Sequence, residues 1–154
     1  MGRGAATGYG GDAFEKLEND HRLILETLRK MEQTDESSTA KRTGLFLLAK
    51  RKLEHALAEE DVVYPLLTDE AERREAAKHL YDEHADMKIL LFEIETALMR
   101  GEPWATPVRS LREMVERHAR KEEQEQFPRL RQVLGEKKFA QVGAQVHREE
   151  ALIL

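Results

Sequence analysis

Apolar residues recur along this chain at the three-and-four spacing of α-helices, and the polar residues that interrupt the recurrence are the informative ones. From Asp12 to about Met31, Phe14, Leu17, Ile24, Leu25 and Leu28 form one buried stripe, with His21 inside it. Asp12 is placed as N-cap, with Glu15 three residues on as its capping-box partner. Gln33 to Ala40 is a polar connection in which Ser37 or Ser38 caps the next helix. That second helix is expected from about Thr39 to Leu66, with Leu45, Leu48, Lys52, His55, Glu59, Val62, Val63 and Leu66 along one side and Pro65 helping to end it. Thr68 or Asp69 caps a third helix running to Met99 or Arg100, with Gly101 as its stop. Its face through Ala77, Leu80, His84, Met87, Leu91, Ile94 and Leu98 is apolar apart from His84.

After a second connection, with Trp104 expected over one end of the bundle, Thr106 as N-cap and Pro107 open a fourth helix. Its inward face is Leu111, Met114, Val115, His118, Glu122 and a residue near Phe127, and it ends near Leu134 with Gly135 as the stop. Glu136 to Glu150 forms a short amphipathic fifth segment that folds back through Phe139, Val142 and Val146. Four long helices with short connections predict an all-α fold, an antiparallel up-down-up-down four-helix bundle with a short C-terminal fifth helix. Residues 12–154 are expected to be one domain, preceded by a disordered, glycine-rich lead-in from Met1 to Gly11.

Composition narrows the function. The chain has 154 residues, 36% charged and 40% hydrophobic, with a formal charge of −5. No basic stripe stands out, so nucleic acid is not an expected partner. Cysteine is absent, which excludes disulfides, iron–sulfur ligation and thiol catalysis by this chain. No apolar run approaches the ~20 residues that span a bilayer, and the N-terminal residues lack the apolar stretch of a signal peptide, so a cytoplasmic protein is expected.

The chemistry lies in a repeat. His118-Ala119-Arg120-Lys121-Glu122-Glu123, followed by Phe127-Pro128, is matched 63 positions earlier by His55-Ala56-Leu57-Ala58-Glu59-Glu60 with Tyr64-Pro65. At the same offset, Leu17-Glu18-Asn19-Asp20-His21 is matched by Leu80-Tyr81-Asp82-Glu83-His84. A histidine and a glutamate four apart lie on one helix face, so each copy of the first motif is an imidazole–carboxylate clip. A carboxylate on an inward face costs several kcal/mol unless it is paired or bound to metal. Two halves related by a pseudo-twofold axis would bring His21, His55, Glu59, His84, His118 and Glu122 to one centre, a site for two metal ions. Two histidines for each metal, with Glu59 and Glu122 bridging, is the stoichiometry expected, and imidazole with carboxylate suits iron, zinc or manganese. Glu60 and Glu123, each turned about 100° from its neighbour, read first as solvated charges, the alternative being a carboxylate that holds an imidazole N–H or a substitute ligand; Asp20 and Glu83 read likewise, the alternative being a hydrogen bond to a histidine of a neighbouring helix. Tyr81, one turn before His84, is placed to point at the metal pocket, whereas Tyr64 and Phe127 are expected to pack the core below it. His79 and His147 fall outside the repeat and read as structural or surface residues.

From about Asp12 to Leu134 these motifs resemble the hemerythrin-like, or HHE cation-binding, family. The resemblance rests on Asp20-His21, His55-x3-Glu59-Glu60 with Tyr64-Pro65, Glu83-His84, and His118-x3-Glu122-Glu123 with Phe127-Pro128. It implies a non-haem di-iron centre, oxo- or hydroxo-bridged, with the two glutamates bridging and the six residues above as ligands. Oxygen-carrying hemerythrins have a fifth histidine one turn before the helix-three ligand, where this chain has Leu80, with Leu17 as its repeat mate. The symmetric set leaves both irons open, as in the HHE domains of iron-sensing proteins. It also resembles the iron–sulfur repair di-iron proteins, whose cysteine-bearing segment is missing here. The expected function is binding or sensing of O2, nitric oxide, peroxide or iron itself. The alternatives are a di-iron enzyme turning over peroxide or nitric oxide, and a metal-free helical scaffold.

Overall fold

The computed structural model describes residues 12–153, with side chains to residue 148; the expected lead-in from Met1 to Gly11 lies outside the described residues. The described chain is helical throughout and has no strand: α1 (Ala13–Glu32), α2 (Thr39–Asp69), α3 (Arg74–Met99), α4 (Ala105–Lys121), a π-helical turn (Glu122–Gln126), α5 (Phe127–Val133) and α6 (Glu136–Ile153). α1 packs against α2 and α4, and α3 packs against the same two helices, so the four long helices form a closed ring of neighbours. α6 packs mainly on α2. Among the described residues no helix is long and apolar enough to cross a membrane.

The ends of the helices are set by local chemistry, with three departures from the sequence reading. Asp12 caps α1 as expected, its Oδ1 accepting from the N–H groups of Phe14 at 2.9 Å and Glu15 at 3.3 Å. Ser38 caps α2 through a bond from the Lys41 N–H. Gly101, at φ 66°, stops α3, and the Glu102 N–H reaches back to the Ala97 carbonyl at 2.9 Å. Pro65, however, sits inside α2 rather than ending it, and its ring lies on an exposed position. Only the one bond its missing N–H would have made is lost, so the helix continues to Asp69. Thr68 and Asp69 therefore belong to the last turn of α2, and α3 starts later, at Arg74. The third departure is at α4, which begins at Ala105, one residue before the expected cap. The cap comes from the α1–α2 connection instead: Asp35 Oδ1 accepts from the N–H groups of Trp104 at 2.5 Å and Ala105 at 2.9 Å.

Two apolar clusters fill the bundle. One includes Ile24, Leu28, Phe46, Leu53, Leu57, Met87, Leu91, Ile94, Leu111 and Val115, closed by Trp104. Trp104 is fully buried as expected at a bundle end, its Nε1 donating to the Met31 carbonyl at 2.9 Å with the Arg42 guanidinium 4.6 Å above the ring. The other cluster includes Phe14, Leu17, Val63, Leu67, Leu80, Phe127 and Leu130, with Val142 and Val146 of α6 packed in. The chain order on each helix places a buried polar layer between the two: His21 lies between Leu17 and Ile24, Glu60 between Leu57 and Val63, His84 between Leu80 and Met87, and His118 with Glu122 between Val115 and Phe127.

The inward faces of α1, α3 and α4 match the expected stripes apart from the half-buried Leu25 and Met114. α2 differs as a whole. A buried run of Phe46, Ala49, Leu53, Ala56, Glu60, Val63 and Leu67 lies one residue beyond the expected Leu45, Leu48, Lys52, His55, Glu59, Val62 and Leu66, although the expected Glu59 and Val63 are buried too, with Arg42, Leu57 and Tyr64. α2 carries apolar side chains on several sides, so spacing alone marks its inner face poorly. The face that wins buries Phe46, Leu53 and Tyr64, the larger set, and leaves Leu48 exposed.

Candidate metal centre

Five buried histidine and glutamate side chains meet in the polar layer. His21 comes from α1, Glu60 from α2, His84 from α3, and His118 and Glu122 from α4 and the π turn after it. Their donor atoms fall into two overlapping triads that could hold a metal ion, Glu60–His84–His118 and His21–Glu60–Glu122, with Glu60 common to both. Glu60 Oε1 lies 2.9 Å from His84 Nε2 and 2.7 Å from His118 Nε2, and Glu60 Oε2 lies 3.0 Å from His21 Nε2. Glu122 Oε1 is 3.1 Å from His21 Nε2, and Glu122 Oε2 is 3.3 Å from His118 Nε2.

Each imidazole turns Nε2 to the centre and Nδ1 to a carboxylate outside it. His118 Nδ1–H donates to Glu83 at 2.8 Å, and His21 Nδ1–H donates to Glu123 at 2.8 Å. His84 Nδ1 pairs with Asp61 at 3.4 Å. A carboxylate behind the far nitrogen fixes the tautomer and ring orientation of a metal-binding histidine, leaving the near nitrogen's lone pair for the ion.

The charges are set by burial and by one another. Burial disfavours the charged imidazole at His21 and His118, but the surrounding carboxylates outweigh it and raise both pKa values well above the ordinary one. His84 is raised too, with Asp61 and Glu60 overcoming burial. Burial alone would raise Glu60; His118, His21 and His84 hold it well below the usual carboxylate range. At Glu83 burial is likewise outweighed, and His118 and Lys121 hold it down to about 2. Without metal, protons on the imidazoles supply the positive charge this layer needs.

The donors fit a cation. Glu122 Oε1 is buried and makes no aligned hydrogen bond, although His21 Nε2 is 3.1 Å away. A cation that took the place of the imidazole protons would satisfy this oxygen and His21 Nε2 together. The Nε2 of His55 is also buried without a hydrogen-bond partner, whereas the buried Glu59 has the Lys16 ammonium 2.9 Å away.

Four of the six sequence-predicted residues, His21, His84, His118 and Glu122, meet at the centre; His55 and Glu59 are not brought to it. They share the α2 face one residue away from Glu60, turned towards α1. There Lys16 Nζ pairs with Glu59 at 2.9 Å and with Asp20 at 2.9 Å, and His55 lines a small pocket with Lys16, Asp20 and Lys52. Burial, with Asp20 nearby, raises Glu59 to about 8 against the pull of Lys16.

Glu60, expected in solvent, is 1% exposed at the middle of the site. Glu123 and Glu83 hold histidines, Glu123 while still partly exposed, whereas Asp20 holds Lys16. Tyr81 is 41% exposed and stands edge-on to Tyr64. Tyr64, expected below the site, reaches into it, and its repeat mate Phe127 stacks on Phe14 with ring centroids 4.8 Å apart. The available signal was the doubled glutamate: a second acid beside each ligand position offers a one-residue change of face. His79 is exposed, as expected, with its Nε2 2.8 Å from Lys121. A surface groove of about 490 Å³ between α1 and α4 reaches His21 and Glu123.

A family model for the hemerythrin HHE cation binding domain matches residues 12–130. No match is found among curated proteins or among solved structures.

Proposed function

The chain belongs to the hemerythrin HHE cation-binding domain family, and on that premise we propose that it is a non-haem di-iron protein that binds or senses a small ligand such as O2, nitric oxide or peroxide. The observation that carries the reading is the convergence of three imidazole Nε2 atoms on two buried carboxylates, with a carboxylate behind each imidazole. We assign the ligands to His21, His84, His118 and Glu122, with Glu60 shared between two ions. His55 and Glu59, the other two residues of the repeat, are turned towards Lys16 and stand outside this assigned set. Nitrogen and carboxylate donors without thiolate suit iron, which supplies redox-active positions for a small ligand. The protein's own part is to orient the imidazoles, keep water out with the two apolar clusters, and admit the ligand along the groove at His21. Leu80 and Leu17, both buried, wall the site on one side and offer no further donor. The antiparallel up-down-up-down arrangement belongs to the same reading and is supported by the ring of helix neighbours and their short connections.

The test is elemental analysis of protein loaded with iron, together with its ultraviolet and visible spectrum in air. Two irons per chain with oxo-bridged absorption are expected, and His118→Ala lowers the iron bound. Little or no metal on an intact helical fold overturns the reading.

A further inference from the structure

Tyr64 is fully buried, and its oxygen lies inside the ligand cluster. Oη is 2.7 Å from Glu60 Oε1, 2.6 Å from Glu122 Oε2, 2.8 Å from His84 Nε2 and 3.0 Å from His118 Nε2. A phenol carries one hydrogen. It can donate to only one of the two carboxylates, so the oxygen faces the other without a hydrogen between them. A structural hydroxyl in a core needs one or two partners; this one is placed among four.

The spacing is a few tenths of an ångström tighter than that of a coordination shell. Tyr64 Oη, Glu60 Oε1, His84 Nε2 and His118 Nε2 are separated by 2.7–3.0 Å in the five pairs Oη–Oε1, Oη–Nε2 of each histidine, and Oε1–Nε2 of each histidine. Donors about 2.0–2.1 Å from a tetrahedral ion lie roughly 3.3–3.4 Å apart. A few tenths of an ångström of expansion would turn this cluster into such a shell.

We propose that Tyr64 is itself a ligand, binding through its phenolate oxygen the cation that Glu60, His84 and His118 hold. This rests on the metal-centre reading above. Binding is redox-neutral: the O–H bond breaks, an oxygen–metal bond forms, and the proton leaves to solvent. Tyrosinate is a known protein ligand of ferric iron in haem proteins. The repeat makes the assignment one-sided. Phe127, the mate of Tyr64, has no oxygen and is stacked on Phe14, so one ion has a phenolate donor and the other lacks it. The two halves of the centre are therefore chemically different despite their matched histidines.

The experiment loads the full chain with ferrous iron in air and records iron content, the visible spectrum and the resonance Raman spectrum. The wild type should show a phenolate-to-iron charge-transfer band with enhanced tyrosine ring modes. Tyr64→Phe should lose both while retaining bound iron and helical circular dichroism. Tyr81→Phe should keep both. Should Tyr64→Phe fail to load, the variant Tyr9→Phe/Tyr81→Phe, which leaves Tyr64 as the sole tyrosine, decides instead: ring modes that shift on ring-deuterated tyrosine support the assignment, and their loss overturns it. Iron bound by the wild type without a phenolate band overturns the Tyr64 assignment and leaves the metal centre standing. A band that survives Tyr64→Phe, or disappears in Tyr81→Phe, also overturns it. No iron bound by the wild type overturns the metal-centre reading and this inference with it.

Discussion

Glu60→Gln and Glu59→Gln are neighbouring substitutions with opposite expected consequences. Glutamine keeps the shape of the side chain and removes its charge. At position 60 it takes the shared ligand from both triads and the counter-charge from three imidazoles within 3.0 Å. Removing one partner of a buried charged network costs about 3–5 kcal/mol. That cost applies to the metal-free protein where the imidazoles are charged, and shrinks as pH rises through their raised pKa values. Losing even a group behind a ligand lowers metal affinity about 10–100-fold, so losing a ligand common to two ions should exceed roughly 100-fold and leave little iron bound. At position 59 the carboxylate faces Lys16, and burial already raises its pKa to about 8. Glu59→Gln should therefore destabilise the metal-free protein less than Glu60→Gln does, and should cost less iron. Denaturant unfolding of the metal-free variants and iron per chain after loading give both numbers. If Glu60→Gln keeps its iron while Glu59→Gln loses it, the reasoning is wrong: the metal-bound α2 would present the face one residue earlier.

Three further outcomes are expected from the same geometry. Glu83→Gln removes the carboxylate that His118 Nδ1–H donates to, so iron affinity should fall about 10–100-fold; unchanged affinity in a chelator competition would mean that Glu83 does not orient the ligand. The metal-free protein should be most stable between about pH 4.5 and 6.5. His21 and His118 contribute stability below 6.5 that is lost as pH rises through their raised values, and Glu59, shifted from 4.5 to about 8, loses stability in the same direction. Glu60 and Glu83, both depressed, contribute above 4.5 and lose it as pH falls. Unfolding midpoints that rise steadily from pH 6.5 to 9 contradict these signs. Asp35→Ala removes the cap from α4 and should cost about 0.5–2 kcal/mol in denaturant unfolding, with iron content unchanged.

The periodicity of the chain determined the helices and most of their inner faces. Phe14, Leu17, His21, Ile24 and Leu28 on α1, and the whole expected face of α3, are buried because a helix with one apolar stripe has one way to remove it from water. The repeat also marked four of the residues that meet at the centre, since equivalent positions on neighbouring helices reach the same layer. Two things were decided only by tertiary structure. One is the rotation of α2: with apolar side chains on several sides, the helix turns by one residue to bury Phe46, Leu53 and Tyr64, and that turn puts Glu60 in the layer and sends His55 and Glu59 towards Lys16. The other is the fate of the charges just outside the motif. Glu83, Glu123 and Asp35 look like surface acids in one dimension, and their partners His118, His21 and Trp104 are 35, 102 and 69 positions away. Local spacing reports which face of a helix a residue occupies. Which face a many-sided helix turns inward, and which distant donor an acid meets, depends on the packing of all the helices together.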